Sequence, residues 1–146
     1  SIIIRTAWLY SIFGNNFVKT MIKLGKERES LNVVADQTGT PTNAADLAKA
    51  IVKILDYSEA NSHFKAGIYH YSNEGITTWY DFTKAIHHDA GITTCKVNPI
   101  STDQYPTRAS RPQYSVLDKS KIKAAFGIQI PQWEDSLRVC ITELSK

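Results

Sequence analysis

The chain has 146 residues, 42% of them hydrophobic and 21% charged, with 17 basic and 14 acidic side chains and a net charge of +3. That is enough chain for one domain with a real core, and the small, scattered basic excess gives no basis for nucleic-acid binding while staying compatible with an anionic small ligand. No apolar run approaches the roughly 18 residues of a membrane span, and Cys95 and Cys140 follow no pairing or metal-binding pattern, so they read as free thiols of a reducing, cytoplasmic compartment.

Residues 2–9 read as a strand. Its opening Ile2-Ile3-Ile4 is β-branched throughout, as in a strand buried on both faces of a parallel sheet. Such a strand needs neighbours on both sides, so the chain is expected to be the C-terminal piece of a larger α/β protein. Its bared edge is expected to promote self-association or disorder near residues 1–10.

Asn16 is placed to cap a helix running to about Lys26, with Phe17, Met21 and Leu24 on one face. A short strand over 31–35 leads into a turn-rich loop, Asp36 to Thr42. The clearest helix spans Asn43 to about Leu55, with Ala44, Leu47, Ala48, Ile51 and Leu55 at helical spacing, followed by a polar linker over 58–65.

Residues 67–72 are strand-like. Thr78 and Asp81 resemble a capping box for a helix carrying Trp79, Phe82 and Ile86 and ending near Gly91. A strand is expected over 94–100 and a long polar loop over 101–112. Asp118 is read as the cap of a short helix closed by Gly127, and Pro131 as the start of a last helix whose stripe is Trp133, Leu137, Cys140, Ile141 and Leu144. Alternating strands and helices predict an α/β fold.

The chemistry visible in single motifs is sparse. The glycines, at 14, 25, 39, 67, 75, 91 and 127, are too far apart for a phosphate-cradling G-x-G-x-x-G or P-loop. His63, His70, His87 and His88 lack metal-ligand spacing, and the adjacent His87 and His88 read as solvated helix residues. Tyr80 and Lys84 match the Tyr-x-x-x-Lys spacing of short-chain reductases, which puts both on one helix face, but the pair reads here as a surface or half-buried pair on an amphipathic helix.

Five segments taken together carry more. R-T-A-W-L-Y from Arg5, G-N-N-F-V-K-T from Gly14, D-Q-T-G-T-P-T-N-A-A-D-L-A from Asp36, T-T-W-Y-D-F from Thr77 and Y-P-T-R-A-S-R-P-Q-Y-S-V-L-D from Tyr105 resemble, in order and spacing, the dTDP-4-dehydrorhamnose reductase family of extended short-chain dehydrogenase/reductases. The resemblance implies the C-terminal part of a Rossmann-like NAD(P)-binding reductase. About residues 1–30 would end the Rossmann-like domain, and about 31–146 would form mainly the substrate-binding lobe.

The resemblance also implies what the larger protein does. It would reduce a dTDP-4-keto-6-deoxy-L-sugar to dTDP-L-rhamnose with NADPH or NADH, with Mg2+ as a further candidate and a homodimer as a candidate assembly. The family's cofactor fingerprint and catalytic Thr/Ser-Tyr-Lys set have no counterpart here. They would precede Ser1, so this stretch alone is expected neither to bind NADPH nor to turn over substrate.

Carried over residue by residue, the resemblance places Trp8 in the sugar-nucleotide pocket, where a flat ring with one N–H donor suits a deoxysugar. Asn15, Asn16 and Phe17 open a helix whose N-terminus suits a diphosphate or ribose. Gln37 to Thr42 form a wall near the nucleotide. Arg111, in Ser-Arg-Pro, grips the diphosphate with a planar fork that stays charged at every working pH, with Arg108 ranked below it. Two other readings share these features: a regulatory binding module of the same fold, and a sibling reductase or epimerase acting on another nucleotide sugar.

Overall fold

A computed structural model describes all of residues 1–146. Eight short strands form four two-stranded ladders. Strand β1 (Ile2–Arg5) runs parallel to β6 (Gly67–His70), and β2 (Leu9–Tyr10) parallel to β5 (Thr42–Asn43). Strand β3 (Ser30–Val34) runs parallel to β8 (Lys96–Ile100), and β4 (Thr38–Gly39) antiparallel to β7 (Thr77–Thr78). The helices are α1 (Phe17–Glu27), α2 (Ala44–Ala60), α3 (Trp79–Asp89), α4 (Ser120–Phe126) and α5 (Trp133–Leu144). None is long and apolar enough to cross a membrane.

The expected single strand over 2–9 is two strands. Trp8 breaks it with a left-handed backbone (φ 50°), a conformation that costs a bulky L-residue about 1–3 kcal/mol and persists only where neighbours impose it. Nor is β1 buried on both faces: Ile2 and Ile4 pack inward, whereas Ile3 is 52% exposed and Arg5 is exposed, because helices cover only one side of the β1–β6 pair.

The buried apolar side chains form two clusters. In the first, Val18 of α1, Phe82 and Ile86 of α3, and Trp133, Leu137, Cys140 and Ile141 of α5 close around Tyr10. Burial in this cluster pushes the Cys140 thiol up to about 11. In the second, Ala50 and Ile54 of α2 and Ile122 and Phe126 of α4 pack on Tyr69, Tyr71 and Ile128.

A buried polar joint ties the two together. The Asn73 side chain, fully buried, accepts from the Asn43 backbone N–H (2.8 Å) and donates to Asp46 Oδ2 (2.9 Å), Ser136 Oγ (3.0 Å) and the Pro131 carbonyl (3.3 Å). Both the oxygen and the nitrogen of that amide are hydrogen-bonded, as burial of an amide requires.

The remaining elements follow the sequence with local shifts. Helix α1 begins after Asn16, whose Oδ1 accepts from Lys19 N–H at 3.2 Å, and Thr78 caps α3 by accepting from Asp81 N–H at 3.1 Å. Helix α2 runs to Ala60, through part of the expected polar linker, because Tyr57 packs edge-on against Phe126 (5.4 Å). Its inward face is Leu47, Ala50, Ile54 and Tyr57, and Ile51 and Leu55 of the expected stripe are exposed.

Lys119, not Asp118, is the first cap of α4, although Asp118 Oδ1 accepts from Ser120 N–H at 2.9 Å. Helix α5 starts at Trp133, since Gln132 is held in a bridge to Glu74, whose N–H donates to the Pro131 carbonyl at 2.9 Å. His87 is buried rather than solvated: its ring fills the space over Gly25, with Nε2 2.8 Å from the Met21 carbonyl.

Candidate functional site: an aromatic cleft with one arginine

The site begins at the break in the first strand. The buried Thr42 holds the Trp8 turn from beneath, its hydroxyl donating to the Ala7 carbonyl (2.7 Å) and its N–H to the Trp8 carbonyl (3.0 Å). These bonds impose the left-handed backbone and swing the indole onto Trp79 at the start of α3. The two rings stack with centroids 3.6 Å apart and planes 20° apart. Gly39 makes the stack feasible, because a Cβ there would lie 2.7 Å from the Trp8 ring. Phe17, the first residue of α1, packs obliquely on Trp79 at 4.7 Å.

Two adjoining cavities of about 290 Å³ each open beside this platform and share Gln37, Trp79 and Arg111. Phe17, Met21, Val33 and Tyr105 also line the first, and Trp8, Pro112 and Ser115 the second. The cleft is therefore aromatic and apolar, with one buried amide and one guanidinium. Arg111 makes no ion pair with any acidic side chain. An unpaired guanidinium at an aromatic cleft suits a ligand with a flat or apolar part and an anionic part.

Of the residues expected from sequence, Trp8, Phe17, Gln37 and Arg111 meet here. Thr42 lies under the platform and acts on it through the backbone. Asn15 is exposed and outside both cavities; Asn16 also lines neither, its Oδ1 capping α1 and its Nδ2 donating to the Ser11 carbonyl at 2.7 Å. Arg108 lines neither cavity.

Trp79 is the site residue that sequence reasoning missed, having been placed with the core face of α3. Its position beside the Thr78 cap, half-buried and with an indole N–H to satisfy, was the available signal. Tyr80 and Lys84 lie elsewhere, lining a separate cavity with His87 and Cys95, and Lys84 Nζ sits 5.0 Å from the Tyr80 ring centroid.

No three His, Cys, Asp or Glu side chains gather to hold a metal ion.

The sequence profile described as RmlD substrate binding domain matches residues 1–146. The chain belongs to this family. It is 45% identical over 143 residues to the dTDP-4-dehydrorhamnose reductase of Aggregatibacter actinomycetemcomitans, covering 94% of this chain and 49% of that protein. The RmlD-type fold superposes on two crystal structures at 43% identity. One is the Bacillus anthracis dTDP-4-dehydrorhamnose reductase in complex with NADP, with TM-score 0.89 over 97% of this chain and 48% of that one. The other is the Clostridium acetobutylicum dTDP-4-dehydrorhamnose reductase, with TM-score 0.90 over 99% and 49%. The chain thus spans about half the length of the relatives it matches, and its fold is the α/β substrate-binding part of an extended short-chain reductase.

Proposed function

We propose that this RmlD-type domain supplies the dTDP-sugar site of a dTDP-4-dehydrorhamnose reductase that uses NADPH or NADH. The observation that carries the reading is the cleft in which a backbone-strained Trp8, stacked on Trp79, faces the same space as an unpaired Arg111. The aromatic wall takes the apolar face of a deoxysugar or the base, and the Arg111 fork takes the diphosphate. Phe17 and Gln37 close the wall, and Thr42 fixes Trp8 from below. About residues 31–146 form most of the substrate lobe, to which α1 is joined by packing. Hydride and proton transfer are assigned to residues outside this chain.

A thermal-shift panel on the 146-residue chain tests the reading. The expected result is stabilisation by dTDP and dTDP-sugars, a weaker response to UDP and GDP analogues, and no response to NADPH. Equal response to all three nucleotides would transfer the reading to a sibling nucleotide-sugar enzyme, and stabilisation by NADPH would overturn the assignment of cofactor chemistry elsewhere.

A further inference from the structure

The segment that carries Arg111 is long, polar and exposed, yet it is held at both feet by three consecutive residues. At its start, Thr102 donates to Asp36 through both its N–H (3.0 Å, Oδ2) and its hydroxyl (2.6 Å, Oδ1). At its end, Thr38 N–H donates to the Gln113 carbonyl (2.7 Å) and Ser115 N–H donates to the Thr38 carbonyl (2.8 Å). Between these two clamps sits Gln37, 7% exposed, and its amide is used at both ends. Its Oε1 accepts from Trp79 Nε1–H at 3.2 Å, and its Nε2 donates to Thr102 Oγ1 at 3.3 Å. The orientation of the amide follows from chemistry, because an indole N–H can only donate and so must face the oxygen.

We infer that Gln37 is a positioning residue that registers the Trp8–Trp79 platform against the Arg111 segment. The donors run in one direction, from the Trp79 indole to Gln37, from Gln37 to the Thr102 hydroxyl, and from Thr102 to the Asp36 carboxylate. Each bond in such a chain polarises the next, and its negative end is an exposed carboxylate that costs nothing to keep charged. The platform fixes where the flat part of a ligand lies, and Thr102 fixes where the Arg111 segment starts. A buried amide bonded to both sets the distance between the aromatic wall and the cation. This deepens the proposed dTDP-sugar site and rests on that reading for its ligand.

The test uses two readouts on the 146-residue chain: the far-ultraviolet exciton couplet of the stacked indoles by circular dichroism, and dTDP affinity by calorimetry. Gln37→Met keeps the side-chain length and removes both bonds, so it should reduce the couplet and weaken dTDP about fivefold to tenfold, the size of one or two lost hydrogen bonds. Thr102→Val should spare the couplet and weaken dTDP. The double variant should lose less than the sum of the two single losses, since the Gln37–Thr102 link is common to both. Gln37→Glu keeps the acceptor for Trp79 and should restore the couplet without restoring affinity. A Gln37→Met chain with an unchanged couplet and affinity within about twofold of the native chain, or strictly additive effects in the double variant, would overturn the inference. Should the native chain fail to bind dTDP, the ligand reading falls, and the couplet alone then decides whether Gln37 holds the platform.

Discussion

The two apolar clusters of this chain differ in how completely they are enclosed. The first is wrapped by α1, α3 and α5, and the aromatic platform grows directly from it: Phe82 touches Tyr10, Phe17, Trp79 and Trp133. The second is covered on one side only. Ile3 and Ile68 sit opposite each other on the bare face of the β1–β6 pair, 52% and 44% exposed, and Ile51, Val52 and Leu55 are exposed along α2. The candidate site therefore stands on the part of the domain that is enclosed by its own residues, and the opening strand belongs to the part that is not.

The largest effect expected from this contrast is in the enclosed cluster. Phe82→Ala should cost about 3–5 kcal/mol, since the ring is 1% exposed and its neighbours are themselves locked together. Chemical denaturation checks it, and a loss below about 1 kcal/mol would mean that the cluster is looser than its burial implies. The polar joint comes next. Asn73→Ala strands the Asn43 N–H and frees the Asp46 and Ser136 acceptors, so a loss of about 2–4 kcal/mol is expected. If the joint links the clusters, the unfolding transition should also broaden.

The open cluster should behave oppositely. Ile3→Thr with Ile68→Thr should change stability by no more than about 0.5 kcal/mol, as at other exposed sites. The pair should nonetheless reduce the self-association proposed for the bared β1 edge and face, which sedimentation velocity reads directly. A monodisperse native chain at high concentration would contradict that proposal.

The smallest effect is electrostatic. Asp36 lies below the usual carboxylate range, because the Thr102 hydroxyl and then the Thr102 N–H stabilise its charged form. A depressed folded-state value means that the contribution is complete above the unfolded-state pKa of about 3.9 and is lost as pH falls through the folded one. Acidification should therefore release the foot of the Arg111 segment, and Asp36→Asn should flatten that pH dependence in amide exchange of residues 101–104.

Most of the helices were legible in the sequence because their signals are local: Asn16 and Thr78 cap where they were expected to, and Gly127 closes α4 in a left-handed turn. What escaped was decided by distant contacts. The inward face of α2 is turned away from the expected stripe because α4 and β6 present Phe126 and Tyr69 to it. His87 is buried because Gly25 leaves room for its ring. At the site, Trp8, Phe17, Gln37 and Arg111 came from the family resemblance, but Trp79 could not be separated from a core aromatic until its stack on Trp8 was seen. Asn16 caps α1 as expected and lines neither cavity of the cleft.

The central claim, that the cleft binds a dTDP-sugar with Arg111 on its anionic part, is tested most directly by calorimetric titration of dTDP into the native chain and two variants. Saturable binding is expected, weakened about tenfold or more by Arg111→Ala, the worth of a charged hydrogen-bonded pair to phosphate, and changed less than about twofold by Arg108→Ala. No binding by the native chain at millimolar dTDP, or equal losses from the two arginines, would contradict it.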